Sequence, residues 1–240
     1  MAIAMRNIRN LLLMLLVLTS ACALAAESYR ITFSIKGIRD TTCLIANYYG
    51  NATYIKDTVR VDGSGRCVYT TPASTPHGIY IFVITDKLHF DFIINNDPRF
   101  SMESDRSDLQ GKMVIKGSPE NSLFYRYLAF NRQKYDEIQA LQKELRSLHA
   151  ADSAEVIRKS NEINQEIISY KLDLIRDHPG SFMAFMLDAM KEPAVPQTVE
   201  GKAADPSASA RYYTQHFWDD TDFTDDRLLR TPVFHNKLQK

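Results

Sequence analysis

Hydrophobic positions along this chain follow two different periods. From Tyr29 to about Lys116 they alternate. Tyr29, Ile31, Phe33 and Ile35 are separated by Arg30, Thr32 and Ser34, a period of two that buries one face of a strand. Gly37 closes that run, and Cys43 to Tyr49 opens the next. Tyr54 to Val61 follows and ends in Asp62-Gly63-Ser64-Gly65, the strongest turn signal in the chain, out of which Cys67-Val68-Tyr69 continues. That spacing predicts an antiparallel hairpin across the turn. Gly78 to Thr85, Lys87 to Ile94, Arg99 to Glu103 and Lys112 to Lys116 complete the series. Many short strands with turns at this spacing predict an antiparallel β-sandwich or open barrel over residues 26–117. The segment is long enough for a core of its own.

At Gly117 the period changes. Ser118-Pro119-Glu120 reads as an N-cap, a proline at the first helical position and an acidic first turn. Leu123, Phe124, Tyr127, Leu128, Ile138, Leu141, Leu145 and Leu148 then recur at steps of three and four. Ala150-Ala151-Asp152 breaks the run, with Asp152 and Glu155 spaced as a capping box. A second helix carries Val156, Ile157, Ile163, Ile167, Ile168, Leu172 and Ile175 and stops at His178-Pro179-Gly180. Two long helices with a short break predict an antiparallel hairpin, joined within residues 118–192 by a shorter helix from Ser181 to Lys191. Residues 193–240 read as a linker followed by short helices. Pro193 to Ser207 is a solvated loop, Ala208 to Phe217 a helix anchored by Tyr212, Tyr213, Phe217 and Trp218, and Thr231-Pro232 the start of one more. That last helix has barely three turns before Lys240, so residues 193–240 read as an incomplete C-terminal part that lacks what the helix would pack against. The fold class expected is α+β, an N-terminal antiparallel β-sandwich or open barrel followed by a long helix hairpin.

The first residues follow neither period. Arg6 and Arg9 precede an unbroken apolar run from Leu11 to Leu18, and Ala23 and Ala25 stand as an A-x-A cleavage site. Residues 1–25 therefore read as a signal peptide, with an exported chain beginning near Ala26 and residing in the periplasm or at the envelope. The apolar run is too short for a permanent membrane span of about 30 Å. A lipoprotein reading competes, with lipid attached at Cys22. However, a lipobox prefers Leu three places before its Cys, where this chain has Thr19. Contact with a membrane follows only if Cys22 is lipidated.

Export makes disulfides possible. Beyond the leader the cysteines are Cys43 and Cys67, both in strand-like runs. They read either as a disulfide pair or as two small apolar core residues, the commoner way for free Cys to pack. There is no C-x-x-C, so a catalytic redox pair is not indicated. The charge balance of 29 Lys+Arg against 29 Asp+Glu gives no global reason to expect nucleic acid. His77, His89, His149, His178, His216 and His235 show no metal-ligand spacing. His216 with Asp219 and Asp220 comes nearest, and these side chains are better read as surface or packing groups. Asp219-Asp220-Thr221-Asp222 and Asp225-Asp226 lack the glycine of a calcium loop and read as a solvated, helix-capping turn. Asp57 and Asp62 read as turn and strand-edge groups rather than paired catalytic carboxylates. No phosphate loop or G-x-S-x-G is present. The residues imply no catalytic group, metal site or cofactor.

Several short words resemble a family of exported Bacteroidota proteins. They are Tyr54-Ile55-Lys56-Asp57-Thr58, Asp62-Gly63-Ser64-Gly65-Arg66, Gly78-Ile79-Tyr80 and Phe92-Ile93-Ile94-Asn95. The most specific run from Lys116 to Phe124 (KGSPENSLF) and from Asp226 to Pro232 (DRLLRTP). In that family the N-terminal β domain is catalogued as DUF4369, a helical DUF5106 segment often follows, and a thioredoxin-like domain bearing C-x-x-C commonly comes after both. The resemblance implies a non-catalytic part of an envelope thiol–disulfide oxidoreductase, serving in binding, positioning or dimerisation. A protein partner or a second copy of the chain is the partner it implies. Cys43 and Cys67 stand where the family is apolar, which favours the core reading. The alternative, from a different class, is a self-standing envelope binding module, with Asn47 to Thr53 and Pro72 to His77 as contact loops.

Overall fold

The computed structural model describes residues 28–147, 153–196, 198–199, 202–203 and 205–240. The leader with Cys22, and the Asp152 end of the capping box, lie outside the described residues. Eight strands form first: β1 (Tyr29–Lys36), β2 (Thr41–Tyr49), β3 (Ala52–Val61), β4 (Arg66–Thr71), β5 (Gly78–Thr85), β6 (Leu88–Ile94), β7 (Arg99–Asp105) and β8 (Val114–Lys116). They make two four-stranded sheets, ordered β4-β1-β7-β8 and β3-β2-β5-β6. The α+β class expected from the two periods is what the chain adopts.

Two details of pairing differ from expectation. The turn at Asp62–Gly65 does not join a hairpin, because β3 pairs with β2 while β4 pairs with β1. The turn instead carries the chain from one sheet to the other. Asp62 holds it with Oδ1, which accepts from the Ser64 and Arg66 amides at 2.8 and 3.0 Å. Gly65 sits at φ +84°, where an added Cβ would run into the carbonyl oxygen of Ile35. A tight polar turn is locally the same object in both arrangements, so the sequence signal could not tell them apart. The second difference is that β1 and β7 run parallel, Arg30 opposite Arg99 through Lys36 opposite Asp105. All other pairs in the two sheets are antiparallel.

The core lies between the sheets. Phe33 from one meets Phe82, Phe92 and Phe90 of the other with ring centroids 4.5, 5.1 and 5.9 Å apart, geometry that aromatic quadrupoles favour. Strands β5 and β6 are also covered on their outer face. Ile79, Ile81 and Ile93 alternate with the inward Tyr80, Phe82 and Phe92, and all six are buried. That second apolar face explains why GIYIFVIT reads as a near-continuous hydrophobic run rather than an alternation.

Helices cover that face. They are α1 (Pro119–Ser147), α2 (Ser153–Asp177), α3 (Phe182–Ala189), α4 (Pro206–His216) and α5 (Pro232–Leu238), with a 3-10 turn at Asp226–Arg230 and a two-residue ladder of Thr198–Val199 with Lys202–Ala203 inside the expected loop. α1 and α2 lie antiparallel, joined by Lys134 to Glu166 at 2.5 Å and by the Phe130 and Tyr170 rings at 4.0 Å. Some positions of the predicted core stripe are nevertheless open, with Ile157, Ile168 and Leu172 about half exposed. The last helix does find a partner, contrary to expectation. α5 packs on α3 and the 3-10 turn, and Val233 and Lys237 are buried there.

Candidate functional site

The two most specific sequence words turn out to be joints. Ser118 Oγ donates to Asp97 at 2.6 Å and accepts the Asn121 amide at 3.0 Å, starting α1 at the end of the β region. Asn121, fully buried, faces the edge of β6. Its Oδ1 accepts the Ile93 amide at 2.7 Å and its Nδ2 donates to the Ile93 carbonyl at 2.9 Å. One side chain thus supplies the donor and acceptor that a further strand would have supplied. Glu120 accepts from Asn95 at 2.9 Å and from the Phe182 amide at 3.0 Å, tying the start of α3 to the same corner.

The second word, Asp226 to Pro232, returns the chain to the second sheet. Leu229 O accepts the Gly50 amide at 2.8 Å, and Leu228 is buried. Gly78 lies so close beneath Arg230 that an added Cβ would come to 2.5 Å from the arginine Cβ. Thr231 then caps α5, its Oγ1 accepting the Val233 amide at 3.2 Å.

These joints leave a cleft of about 290 Å³ between the outer face of β5 and β6, α1, α3 and α5. Ile79, Phe124, Leu128, Met186 and Val233 give it an apolar wall, and Asp91, Glu192, Lys237 and Lys240 bring its charges. Lys237 is committed elsewhere. Its ammonium donates to the carbonyls of Ala189 and Lys191 at 3.2 and 3.0 Å and to Thr221 Oγ1 at 3.1 Å, capping the end of α3. Phe217 and Trp218 stand 5.0 and 5.3 Å from that ammonium. Burial lowers its pKa. Glu192 is paired with Lys240 and also accepts from Tyr213 at 3.1 Å.

Asp91 is different. It projects from β6 opposite Ile81. The hydrogen bond its carboxylate makes is to the Tyr48 hydroxyl, at 3.5 Å. Tyr125 reaches only its main-chain carbonyl, at 2.9 Å. Desolvation outweighs the opposing charge of His89 and the Tyr48 hydrogen bond, and pushes the Asp91 pKa up to about 6. Among the described carboxyl groups Asp91 is the one shifted upward, beside an apolar wall and without an ionic partner, which makes it the candidate site group. Asp91 is not among the residues the sequence singles out: His89 and Asp91 alternate with Leu88, Phe90 and Phe92, which has the form of a strand's solvent side. The available signal was the apolar outer face of its neighbour, Ile79 and Ile81, which requires a cover and so places Asp91 beneath it.

The residues singled out from sequence lie elsewhere. Cys43 and Cys67 are free thiols buried in the core, one on β2 and the other on β4. Burial and the neighbouring Cys43 push the Cys67 thiol up to about 12, and burial also raises Cys43. His216 Nδ1 meets Asp219 at 2.6 Å, and among the described residues no three His, Cys, Asp or Glu converge as metal ligands. Asp62 serves its turn, while Asp57 lies within β3 beside the bulge opposite Ile45–Ala46, its carboxylate accepting the Thr58 amide at 2.7 Å. Asp225 caps the 3-10 turn and grips Arg227 through Nε and Nη2 at 2.9 and 2.5 Å. The loop from Pro72 to His77 lies beside Asp225–Arg227, with Pro72, Ser74 and Pro76 exposed.

No curated protein matches the chain. A family model does, and it spans both sheets and runs into the first turns of α1, so that Ile79, Asp91 and Phe124 of the cleft fall inside it. Residues 29–124 carry the domain described as Domain of unknown function (DUF4369).

Proposed function

We propose that the chain is the non-catalytic binding and positioning part of an exported thioredoxin-like thiol–disulfide oxidoreductase of Bacteroidota, with residues 193–240 as a DUF5106-like segment. The DUF4369 match over residues 29–124 supports this reading. So does a leader that reads as a signal peptide, and the reading carries with it residence in the periplasm or at the envelope. The cleft gives such a part something to bind with, and a protein partner or a second copy of the chain remains the expected partner. The cysteines do not suit turnover at neutral pH, because a nucleophilic thiol needs a lowered pKa and both are raised. The test is insulin reduction by the purified chain with dithiothreitol. Turnover at the dithiothreitol background is expected, and dithiol-dependent turnover abolished by Cys43→Ser overturns the reading.

The cleft also favours the second reading, a self-standing envelope binding module. Sequencing the transcript through the Lys240 codon separates the two. Continuation into a C-x-x-C domain supports the first reading, and a stop there moves the second to first place.

A further inference from the structure

The cleft's charges are unequally served. Lys237 has three oxygen partners, and Glu192 has Lys240 and Tyr213. Asp91 has one long hydrogen bond from Tyr48. A carboxylate in that position lowers its free energy by accepting charge-assisted hydrogen bonds, which are shorter and stronger than neutral ones. Among the described residues no Lys or Arg forms an ion pair with it, and the basic neighbour that acts on Asp91 is His89, which is exposed. Around it the wall is hydrocarbon and aromatic, from Phe124, Leu128, Met186 and Val233. At roughly 30 Å³ per water-sized group, about 290 Å³ holds an amine with a body of about ten heavy atoms.

We propose that this cleft binds an apolar ligand bearing a protonated amine, the amine seated on the Asp91 carboxylate and the body against Phe124, Leu128, Met186 and Val233. The inference rests on reading the chain as a binding module and names the class of ligand. An anion is disfavoured because the two lysines are already engaged. A neutral apolar compound would take the remaining water from the half-buried Asp91 and leave it unpaired, a costly arrangement for a charge.

The probes are 4-phenylbutylamine, the neutral 4-phenylbutanol and the anionic 4-phenylbutyrate, each titrated into the full chain by calorimetry and by amide chemical shifts. At pH 7.5 the amine should bind at least tenfold more tightly than either analogue, with shifts confined to β5, β6, α1, α3 and α5. Asp91→Asn should remove that preference. Amine binding should also weaken as the pH falls through about 6, where Asp91 takes up its proton. His89, the Tyr48, Tyr125 and Tyr127 hydroxyls, Glu192, Lys237 and Lys240 are the other titratable groups around the site, so the Asp91→Asn profile, expected to be flat, isolates the carboxylate. Should Asp91→Asn not fold, Leu128→Trp fills the same cleft and should abolish binding without touching the charge. Equal binding of the three probes, preference for the butyrate, no binding by any, or an unchanged preference in Asp91→Asn overturns the proposal. None of these results changes insulin reduction, so the wider reading stands or falls by its own assay.

Discussion

Asn121 offers the sharpest test of how the sheets and helices are joined. Asn121→Ala removes the acceptor for the Ile93 amide and the donor to the Ile93 carbonyl, at 2.7 and 2.9 Å, in a position with no exposure. It also removes the Nδ2 donor to Ser118 Oγ at 2.9 Å. A buried backbone group left without a partner costs about 1–3 kcal/mol. With two such groups on Ile93, and partial relief from water entering the space, the expected loss is about 3 kcal/mol, or roughly 6–12 °C in Tm for a chain of this size. Urea unfolding followed by far-UV circular dichroism measures it, with Asn164→Ala on the exposed face of α2 as the control, expected within about 0.5 kcal/mol of the parent. Asn121→Asp should be worse at pH 7.5 than at pH 4, because a carboxylate there faces the Ile93 carbonyl as one acceptor against another. An Asn121→Ala protein within 0.5 kcal/mol of the parent, with unchanged denaturant slope, would refute the view that this side chain stands in for a strand.

Four further outcomes follow from particular contacts. Asp91 ionises near 3.8 when unfolded and near 6 when folded, so the folded chain loses stability as the pH rises between those values and keeps that loss above them. Asp91→Asn should therefore stabilise by about 1–3 kcal/mol at pH 7.5 and by nearly nothing at pH 3.5, as read by thermal melts at both pH values; an equal effect at both counts against the buried-charge account. Gly65→Ala places a Cβ against the Ile35 carbonyl at φ +84° and should cost about 3 kcal/mol in urea unfolding, whereas Gly180→Ala, with open space around it, should cost only about the 1–2 kcal/mol of its left-handed backbone. Lys237→Met strips the carbonyls of Ala189 and Lys191 of their donor and should cost about 2–3 kcal/mol, with faster hydrogen exchange at the end of α3 and in α5; unchanged exchange there would mean that the lysine does not hold the two helices together. Cys43 and Cys67 should resist a thiol reagent in the native protein and both label fully in urea without added reductant, as peptide mapping would show; protection that persists in urea until reductant is added would mean a disulfide instead.

How much of this was readable before the structure depends on how local each cause is. β1 was plain because Tyr29, Ile31, Phe33 and Ile35 carry their own alternation, and α5 because Thr231-Pro232 is a cap followed by a residue whose fixed φ suits a first turn. The change of partner at Asp62–Gly65 was not readable, since whether the following strand folds back or crosses to another sheet is decided by cores that lie far apart in sequence. The parallel seat of β7 beside β1 is a long-range choice of the same kind. Within the cleft, Phe124, Tyr127 and Leu128 were legible as an apolar stripe on a helix, but the place where that stripe lands was not. Asp91 was legible only through its cover, which Ile79 and Ile81 require; its missing countercharge is a three-dimensional fact, and no spacing along the chain encodes an absence. The open Ile157, Ile168 and Leu172 show the converse, a periodic stripe that the described part of the fold does not use in full.

The parallel pairing of β1 with β7 sets a timetable. Strand β1 is the first to leave the ribosome, yet it lies between β4 and β7 and stays half-paired until Asp105 has been made. Until then its Ile31, Phe33 and Ile35 have no finished sheet to join, and no local hairpin can bury them. Folding rates fall as contacting residues lie further apart in sequence, and a sheet whose centre waits for its neighbour over some seventy residues belongs at the slow end. A nascent chain of this topology keeps β1 half-paired until more than a hundred residues have been made, and a chain that lingers there is exposed to aggregation along the same unpaired strand.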